Sequence, residues 1–181
     1  MGRLVTIASI LGFVLLPGFA QANGIASIAF NGTGCPQGTA GFSISNDRST
    51  MTLIFEVFVA TTGPSVPSSE MDKHCNIDVT MQTSDSAGIS MVSRGFVQLD
   101  RDIVGEEDQH IPQAKGSDAS LPFTGPTARD YVSASAATVL AQGKPGNTTF
   151  RVGLSLGLDN SLNPSRAGQM TLDSFDLQIV P

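Results

Sequence analysis

The chain has 181 residues, of which 16 are acidic and 10 are basic, and its net charge is −6 at neutral pH. An acidic chain with dispersed charges and no basic cluster excludes nucleic acids and anionic membrane surfaces as natural partners. The length, together with a 40% share of hydrophobic residues, favours one globular domain with a core of its own.

Residues 1–22 have the three parts of a secretory signal peptide. Arg3 supplies a positive charge, Leu4 to Phe19 form an apolar run, and Ala20-Gln21-Ala22 is an A-x-A cleavage site. The apolar run has about 16 residues, whereas a helix that spans a bilayer needs roughly 20. We therefore expect the leader to be cleaved and residues 23–181 to form a single domain outside the cytoplasm, with no membrane span.

The mature chain consists of short alternating runs of apolar and polar residues, separated by clusters of Gly, Pro, Asn and Asp. This pattern is typical of antiparallel strands, and no amphipathic helix or fixed-period repeat interrupts it. We therefore predict an all-β protein, an antiparallel β-sandwich built as a single domain. The predicted strands, in chain order, are Gly24–Phe30, Gly41–Ser45, Met51–Ala60, Asn76–Gln82, Ile89–Asp100, Tyr131–Leu140, Phe150–Leu158 and Met170–Ile179. A polar, turn-rich segment from Pro112 to Pro126 lies between the fifth and sixth of these strands.

The strand Met51–Ala60 is apolar on both faces, as expected for a strand in the interior of a sheet. Its odd-numbered residues, from Met51 to Val59, form the main apolar face. Gly63 and Pro64 end the strand, because proline cannot donate a hydrogen bond to a neighbouring strand. Glu56 interrupts the second face. It is either a solvent-exposed carboxylate or a catalytic one, and the catalytic role would need a second acid nearby.

Two other strands carry signs of irregular pairing. In the last strand the apolar residues change phase between Leu172 and Phe175, which predicts a β-bulge at Asp173–Ser174. In the strand Ile89–Asp100, the small residue Gly95 predicts a bulge or the close approach of another backbone.

Cys35 and Cys75 are the only cysteines of the chain. In an exported protein two cysteines are most simply explained by one disulfide, which would close a loop of 40 residues and stabilise the fold by about 4 kcal/mol. A metal site that uses His74 beside Cys75 is the alternative. It is one ligand short of the usual tetrahedral zinc set.

Six different short motifs follow one another along the mature chain. In chain order they are Gly32-x-Gly34-Cys35-Pro36-x-Gly38, Phe55-Glu56-x-Phe58-x-Ala60, Gly63-Pro64-x-x-Pro67-x-Ser69, Lys73-x-Cys75, Arg94-Gly95-Phe96-Val97-x-Leu99-Asp100, and Phe123-Thr-Gly125-Pro126 followed by Tyr131. Together these motifs resemble the secreted family catalogued as domain of unknown function 4360. The resemblance implies a small exported β-rich protein with its early cysteines paired. It supplies no activity and no catalytic residues.

The chain departs from the family pattern in two places. Members of the family often have an asparagine directly before the second cysteine, where this chain has His74. Many also have a Trp-Ser-x-Cys stretch and a second cysteine pair, but residues 138–144 contain neither Trp nor Cys. The resemblance is therefore to a divergent member that lacks a second disulfide.

The acidic residues concentrate in one segment after the strand Ile89–Asp100. We predict that the segment is a solvated loop, with a calcium site as the alternative because calcium binds six to eight oxygen atoms. No other cofactor is predicted. The candidate ligands are Asp100, Asp102, Glu106, Glu107 and Asp108. His110 with Glu106 could also bind a transition metal, but two ligands do not make a site.

The chain contains no G-x-S-x-G, H-E-x-x-H or Walker motif, and no recognisable nucleophile lies beside His74 or His110. We predict a secreted, non-catalytic module that binds a polysaccharide or protein of a cell surface, wall or matrix. One alternative is an extracellular hydrolase that works through carboxylates, which would require Glu56, Asp100 and another acid to share a cleft. Another is a secreted effector or inhibitor of a protein partner. Asn31 and Asn147 begin glycosylation sequons, which matter only in a eukaryotic source.

Overall fold

A computed structural model describes residues 24–83, 87–114, 117–139 and 146–180. The predicted signal peptide, residues 1–22, lies outside the described residues. Most of the described chain forms strands, joined by turns and one short 3-10 helix, Ser68–Glu70. Within these residues, no helix has the length and apolar character that a membrane span requires.

The strands follow one another with short connections. They are β1 (Gly24–Asn31), β2 (Ala40–Ile44), β3 (Thr50–Phe55), β4 (Val59–Thr62), β5 (Asp72–Thr83), β6 (Ala87–Leu99), β7 (Val104–His110), β8 (Ala119–Thr124), β9 (Thr127–Val139), β10 (Gly146–Asp159) and β11 (Gly168–Val180). Seven of the eight predicted strands are confirmed within the described residues, and the predicted strand Met51–Ala60 is divided into β3 and β4. Three boundaries that the pattern did not predict divide the chain further, at β4, β7 and β8.

The strands form two antiparallel sheets. The five-stranded sheet has the order β1-β5-β10-β7-β8. The six-stranded sheet has the order β2-β3-β11-β6-β9, and β4 also pairs with β11, beyond the end of β3. The predicted all-β, antiparallel sandwich is therefore confirmed.

The core lies between the two sheets and is built from alternate residues of each strand. Because successive side chains of a strand point to opposite faces, one face of each long strand is buried and the other is exposed. In β10, Phe150, Val152, Leu154 and Leu156 are all buried. Burying each such side chain contributes roughly 1.5–3 kcal/mol, so this alternation provides most of the stability of the fold.

The strand predicted at Met51–Ala60 is interrupted by a tight turn. The Val59 N–H donates to the Val57 carbonyl over 2.8 Å, and the chain changes phase there. As a result Phe58 is fully buried, while Val57 is 43% exposed. The prediction that Val57 and Val59 continue the buried face is therefore wrong. The Phe58 ring instead packs edge-to-face on Phe55, with 5.2 Å between ring centroids.

The two irregularities predicted in β6 and β11 are confirmed, and they lie side by side. The pairing of β11 with β6 shifts register between Leu172 and Ser174, which places the bulge at Asp173. A Cβ atom on Gly95 would stand 1.9 Å from the carbonyl oxygen of Thr171, so only glycine fits there. The Tyr131 hydroxyl donates to that same carbonyl over 2.8 Å. The glycine thus allows β11 and a buried tyrosine to meet above β6.

Cys35 and Cys75 form a disulfide, as predicted, and both are fully buried. The bond fastens the turn after β1 to the start of β5. The Gly34 N–H donates to the His74 carbonyl over 2.9 Å in the same contact. A Cβ atom on Gly32 would lie 2.1 Å from that carbonyl oxygen, so the turn packs against β5 only because this position is glycine.

The segment predicted as turn-rich, from Pro112 to Pro126, contains strand β8. Pro122 lies within β8 and pairs with Glu106 of β7. A proline is tolerated there because β8 is an edge strand, where one side of the backbone needs no partner. The turn prediction is wrong at residues 119–124, because a proline inside a short strand gives the same signal as a turn.

We predict that replacing both cysteines by alanine lowers the free energy of unfolding by about 4 kcal/mol, because the disulfide closes a long loop in the unfolded chain. Chemical denaturation of the wild type and of Cys35→Ala/Cys75→Ala measures the difference. Titration of two free thiols in the oxidised wild-type protein would contradict the disulfide itself.

Candidate functional site

The outward face of the five-stranded sheet carries a groove of small and polar residues, which we call the polar trough. Its floor is the central strand β10, where Gly153, Ser155 and Gly157 point outward. One wall is β5, with Asp72, His74 and Asn76, and the other is β7, with Glu106, Asp108 and His110. The pairing register sets three rows across these strands: Asn76-Gly153-His110, His74-Ser155-Asp108 and Asp72-Gly157-Glu106.

The two glycines of the floor differ in how much space lies above them. A Cβ atom on Gly153 would stand 2.0 Å from Cε1 of His110, so the imidazole occupies the space above that glycine. A Cβ atom on Gly157 would meet nothing closer than an oxygen of Asp72, 3.5 Å away. The trough is therefore covered at Gly153 and open at Gly157. A cavity of about 330 Å³, lined by Asp72, Glu106, Gly157 and Asp159 among others, lies at this open end.

His74 is held in place by the turn that the disulfide fastens. The Thr33 Oγ1 atom accepts a hydrogen bond from the backbone N–H of His74 over 3.1 Å and lies 3.2 Å from the ring atom Nδ1. Within the described residues, the other ring nitrogen, Nε2, makes no hydrogen bond. The disulfide at the adjacent Cys75 thus determines where one wall of the trough begins.

Carboxylates stand on both walls of the polar trough and make it electronegative. Partial burial, followed by the neighbouring charge of Glu106, raises the pKa of Asp108. Ser155 of the floor donates to Asp108 over 3.4 Å, and Ser120 of β8 donates to Glu106. The trough therefore presents carboxylate acceptors that are already oriented by hydroxyl donors.

The five acidic residues predicted as metal ligands do not form one loop. Glu106, Glu107 and Asp108 lie in strand β7, so the prediction of a solvated loop is wrong there. Glu107 points into the core, while its two neighbours point into the trough. Asp100 and Asp102 lie in the turn between β6 and β7. Among the described residues, no group of three or more His, Cys, Asp or Glu side chains is arranged to hold a metal ion.

Asp100 and Asp102 form hydrogen bonds that join the turn between β6 and β7 to the loop between β10 and β11. Asp100 accepts from the Ala167 backbone N–H over 3.1 Å, and Asp102 accepts from the Asn163 amide over 3.5 Å. A groove of about 260 Å³ lies beside Asp100. It is lined by Thr61, Thr62, Gln98, Asp100, Ala167, Gly168 and Gln169, and none of these adds a second carboxylate. Glu56 lies in the turn before β4 and does not line this groove, so the two acids suggested for hydrolysis do not share it.

Glu107 is the central group of a buried polar cluster between the sheets. It is fully buried, and its Oε1 atom accepts from Ser93 Oγ over 2.7 Å. Its Oε2 atom has no hydrogen-bond partner in the described residues. Gln109 also donates to Ser93 Oγ, over 2.8 Å, and accepts from Ser135. Burial raises the pKa of the Glu107 carboxyl, and the hydrogen bond from Ser93 offsets part of that rise.

The sequence held a signal for Glu107 that the prediction missed. Ile103 and Ile111 are both buried, and Glu107 lies midway between them with the same parity. Period-two alternation from either isoleucine therefore places Glu107 inward. The segment is predicted as a loop despite this alternation, because five acidic residues in nine positions are typical of a loop.

A model of the family described as domain of unknown function, DUF4360, matches residues 21–180. An uncharacterized secreted protein of Arthroderma benhamiae is 32% identical over 114 residues, which are 60% of this chain and 46% of that protein. The chain thus matches a little under half the length of this relative.

Some solved structures are similar to this chain at very low sequence identity. TmCBM61 in complex with β-1,4-galactotriose is 8% identical, covers 87% of this chain and 91% of its own, and has a TM-score of 0.32. The CBM36-1 domain of a xylanase from the hindgut metagenome of Trinervitermes trinervoides is 14% identical, with coverages of 86% and 99% and a TM-score of 0.28. The Eiger TNF of S. frugiperda is 10% identical, with coverages of 57% and 65% and a TM-score of 0.26. Likenesses at this level carry no argument about function.

We predict that Glu107→Gln makes the protein more stable than the wild type at neutral pH, with a difference that disappears in acid. The native carboxyl keeps its proton to a higher pH than the unfolded one, because burial raises its pKa above the ordinary value of 4.5. As the pH rises past that value, the unfolded chain releases the proton first, and the wild type loses stability until the native carboxyl ionises too. Urea denaturation across this pH range measures both proteins.

The matched control for this prediction is Glu56→Gln, which removes an exposed carboxyl elsewhere in the fold. We expect its stability to follow that of the wild type across the same pH range. A parallel pH dependence for wild type and Glu107→Gln would contradict the assignment of a raised pKa to the buried carboxyl.

Proposed function

The chain belongs to the DUF4360 family, and on that premise we propose that it is a secreted, non-catalytic module that binds a polysaccharide in the polar trough. The observation that carries the proposal is the floor of Gly153, Ser155 and Gly157 between two polar walls. A floor of small residues on the central strand lets a ligand approach the sheet. The walls then supply hydrogen-bonding groups on both sides of it.

The chemistry of the walls favours a ligand rich in hydroxyl groups. A hydroxyl both donates and accepts hydrogen bonds, so it can pair with a carboxylate such as Asp108 and with a donor such as the Asn76 amide. Hydrogen bonds to carboxylates are about twice as strong as neutral ones. The carboxylates on both walls repel an anionic ligand, which favours a neutral sugar chain.

The shape of the trough favours an extended ligand. Residues 153 to 157 of β10 span about 13 Å at the usual rise of a strand. The chain has no Trp, and its one Tyr, Tyr131, is buried in the core, so neither of these residue types supplies a stacking platform in the trough. We therefore expect the affinity to come from several hydrogen bonds and to be modest for a single short ligand.

Three observations support a location outside the cytoplasm. Residues 1–22 have the pattern of a signal peptide, the disulfide is of the kind that persists in oxidising compartments, and a relative is described as secreted. A wall, matrix or surface polysaccharide is the neutral hydroxylated polymer that such a protein meets.

We predict that the mature protein co-sediments with an insoluble neutral polysaccharide and that Gly157→Leu weakens this binding by roughly tenfold or more, because the side chain fills the open end of the trough. The substitution has room, since the space above Gly157 is open. The assay uses protein made without N-glycosylation. Asn31 of β1 begins a sequon and pairs directly with Asn76 of β5, so a glycan there would lie beside the wall of the trough. Binding isotherms with several polysaccharides, with calcium and with chelator, measure the effect.

The matched control is Gly41→Leu, which adds the same side chain in open space on the edge strand β2 of the other sheet. We expect it to bind like the wild type and both variants to keep the wild-type melting temperature within a few degrees. Equal loss for both variants, or none for either, would contradict the trough as the site. Release of soluble sugar in the same tubes would contradict a non-catalytic module and would direct attention to Asp108.

A further inference from the structure

The free edges of the two sheets differ in how well they are protected. An edge strand carries N–H and C=O groups without partners, and natural proteins protect such edges with short strands, bulges, prolines or charged side chains. In the described residues the five-stranded sheet ends on β1 and β8, and the six-stranded sheet ends on β2 and β9, with the four-residue strand β4 as a further short edge beside β11.

Three of these edges have such a device. The pairing of β1 with β5 shifts register between Ile25 and Ser27, which marks a bulge. Strand β8 has six residues and contains Pro122. Strand β2 has only five residues. Each of these edges is therefore a poor template for another strand.

Strand β9 has none of these devices along most of its length. It has 13 residues, contains no proline and pairs with β6 from Thr127 to Val139 without a shift in register. Its first residues are protected, because they include Arg129 and Asp130 and lie near β8. The Arg129 guanidinium stands 5.7 Å from the centroid of the Phe123 ring. The remaining segment, Val132–Val139, has no charged side chain, and we call it the open edge.

We propose that the open edge pairs with the same segment of a second copy, so that two six-stranded sheets join into one. Strands that pair antiparallel about a two-fold axis must place residues of equal parity opposite each other, because each sheet keeps its inner and outer faces. An axis through Ser135 satisfies this condition and pairs residues 132–138 of the open edge. It places Val132 opposite Thr138 and Ala134 opposite Ala136 on the outer face.

The side chains of the open edge suit a second copy of the chain. On the inner face the same axis places Ser133 opposite Ala137 and Ser135 opposite itself, so small residues meet small residues throughout the centre. Val132, which is 61% exposed in the monomer, gains the β-branched side chain of Thr138 as a cross-strand neighbour at each end of the pairing. One carbonyl, that of Ser133, already accepts a hydrogen bond from Gln109 over 3.2 Å. Among the described residues, no other backbone group on the free side of Val132–Val139 has a protein partner, so water satisfies these groups until another strand pairs with them.

This pairing has a consequence that rests on the proposed function. A two-fold axis perpendicular to the six-stranded sheet places the five-stranded sheets of both copies on the same side of the assembly. The two polar troughs then face the same surface, and a polymer bound by one copy raises the effective concentration of the other. Two sites of modest affinity would in this way bind an insoluble polysaccharide more tightly than one site alone.

We predict that the mature protein forms a dimer whose population rises between micromolar and millimolar protein concentration, as measured by sedimentation velocity. In the double variant Ala134→Lys/Ala136→Lys, each lysine of one copy faces a lysine of the other copy, on both sides of the two-fold axis. We expect it to weaken dimerisation on the order of tenfold or more. Both alanines are exposed, so the monomer fold tolerates the change.

The variant Ala134→Glu/Ala136→Lys separates the proposed register from a general effect of charge. In the proposed pairing each introduced glutamate meets an introduced lysine, and we expect dimerisation near the wild-type level that weakens with added salt. Ala128→Lys, on the protected part of β9, is the control and should dimerise like the wild type. A wild type that stays monomeric at millimolar concentration, or two double variants that behave alike, would overturn the proposal. Because no polysaccharide is present, the result is independent of the binding site.

Discussion

Strand β10 is the element on which the rest of the structure depends. It pairs with β5 over twelve residue pairs and with β7 over seven, so it joins both halves of the five-stranded sheet. Its inner face buries Phe150, Val152, Leu154 and Leu156 against the other sheet. Its outer face carries Arg151, which pairs with Asp78, and then the small residues Gly153, Ser155 and Gly157. One alternating sequence thus builds the core on one side and the floor of a groove on the other.

The disulfide contributes to the stability of the fold and also to the geometry of the polar trough. It closes a long loop, and it also holds the turn at Gly32 and Gly34 against the backbone of His74. Thr33 within that turn then fixes the imidazole of His74 at the edge of the polar trough. A bond that would otherwise act mainly on the unfolded state therefore also positions a wall of the candidate site.

In strand β7 the alternation of outward and inward side chains falls on three consecutive acidic residues. Glu106 and Asp108 face the trough, whereas Glu107 between them must enter the core. The cost of burying a carboxyl is reduced by Ser93 and Gln109, but one oxygen of Glu107 lacks a partner in the described residues, which costs about 1–3 kcal/mol. The fold thus accepts a buried carboxyl in the strand that carries two carboxylates of the site.

The sequence by itself determined the class of fold, the paired cysteines and most strands, because period-two alternation and two isolated cysteines are local signals. It also located the bulge at Asp173 and the close approach at Gly95, since a change of phase and a lone glycine appear directly in the chain. It could not order the strands. The trough exists only because the tertiary structure places β10 between β5 and β7, which are distant from each other in sequence. The open edge of β9 likewise follows from its being last in its sheet, and pairing between distant segments is a property that no local pattern records.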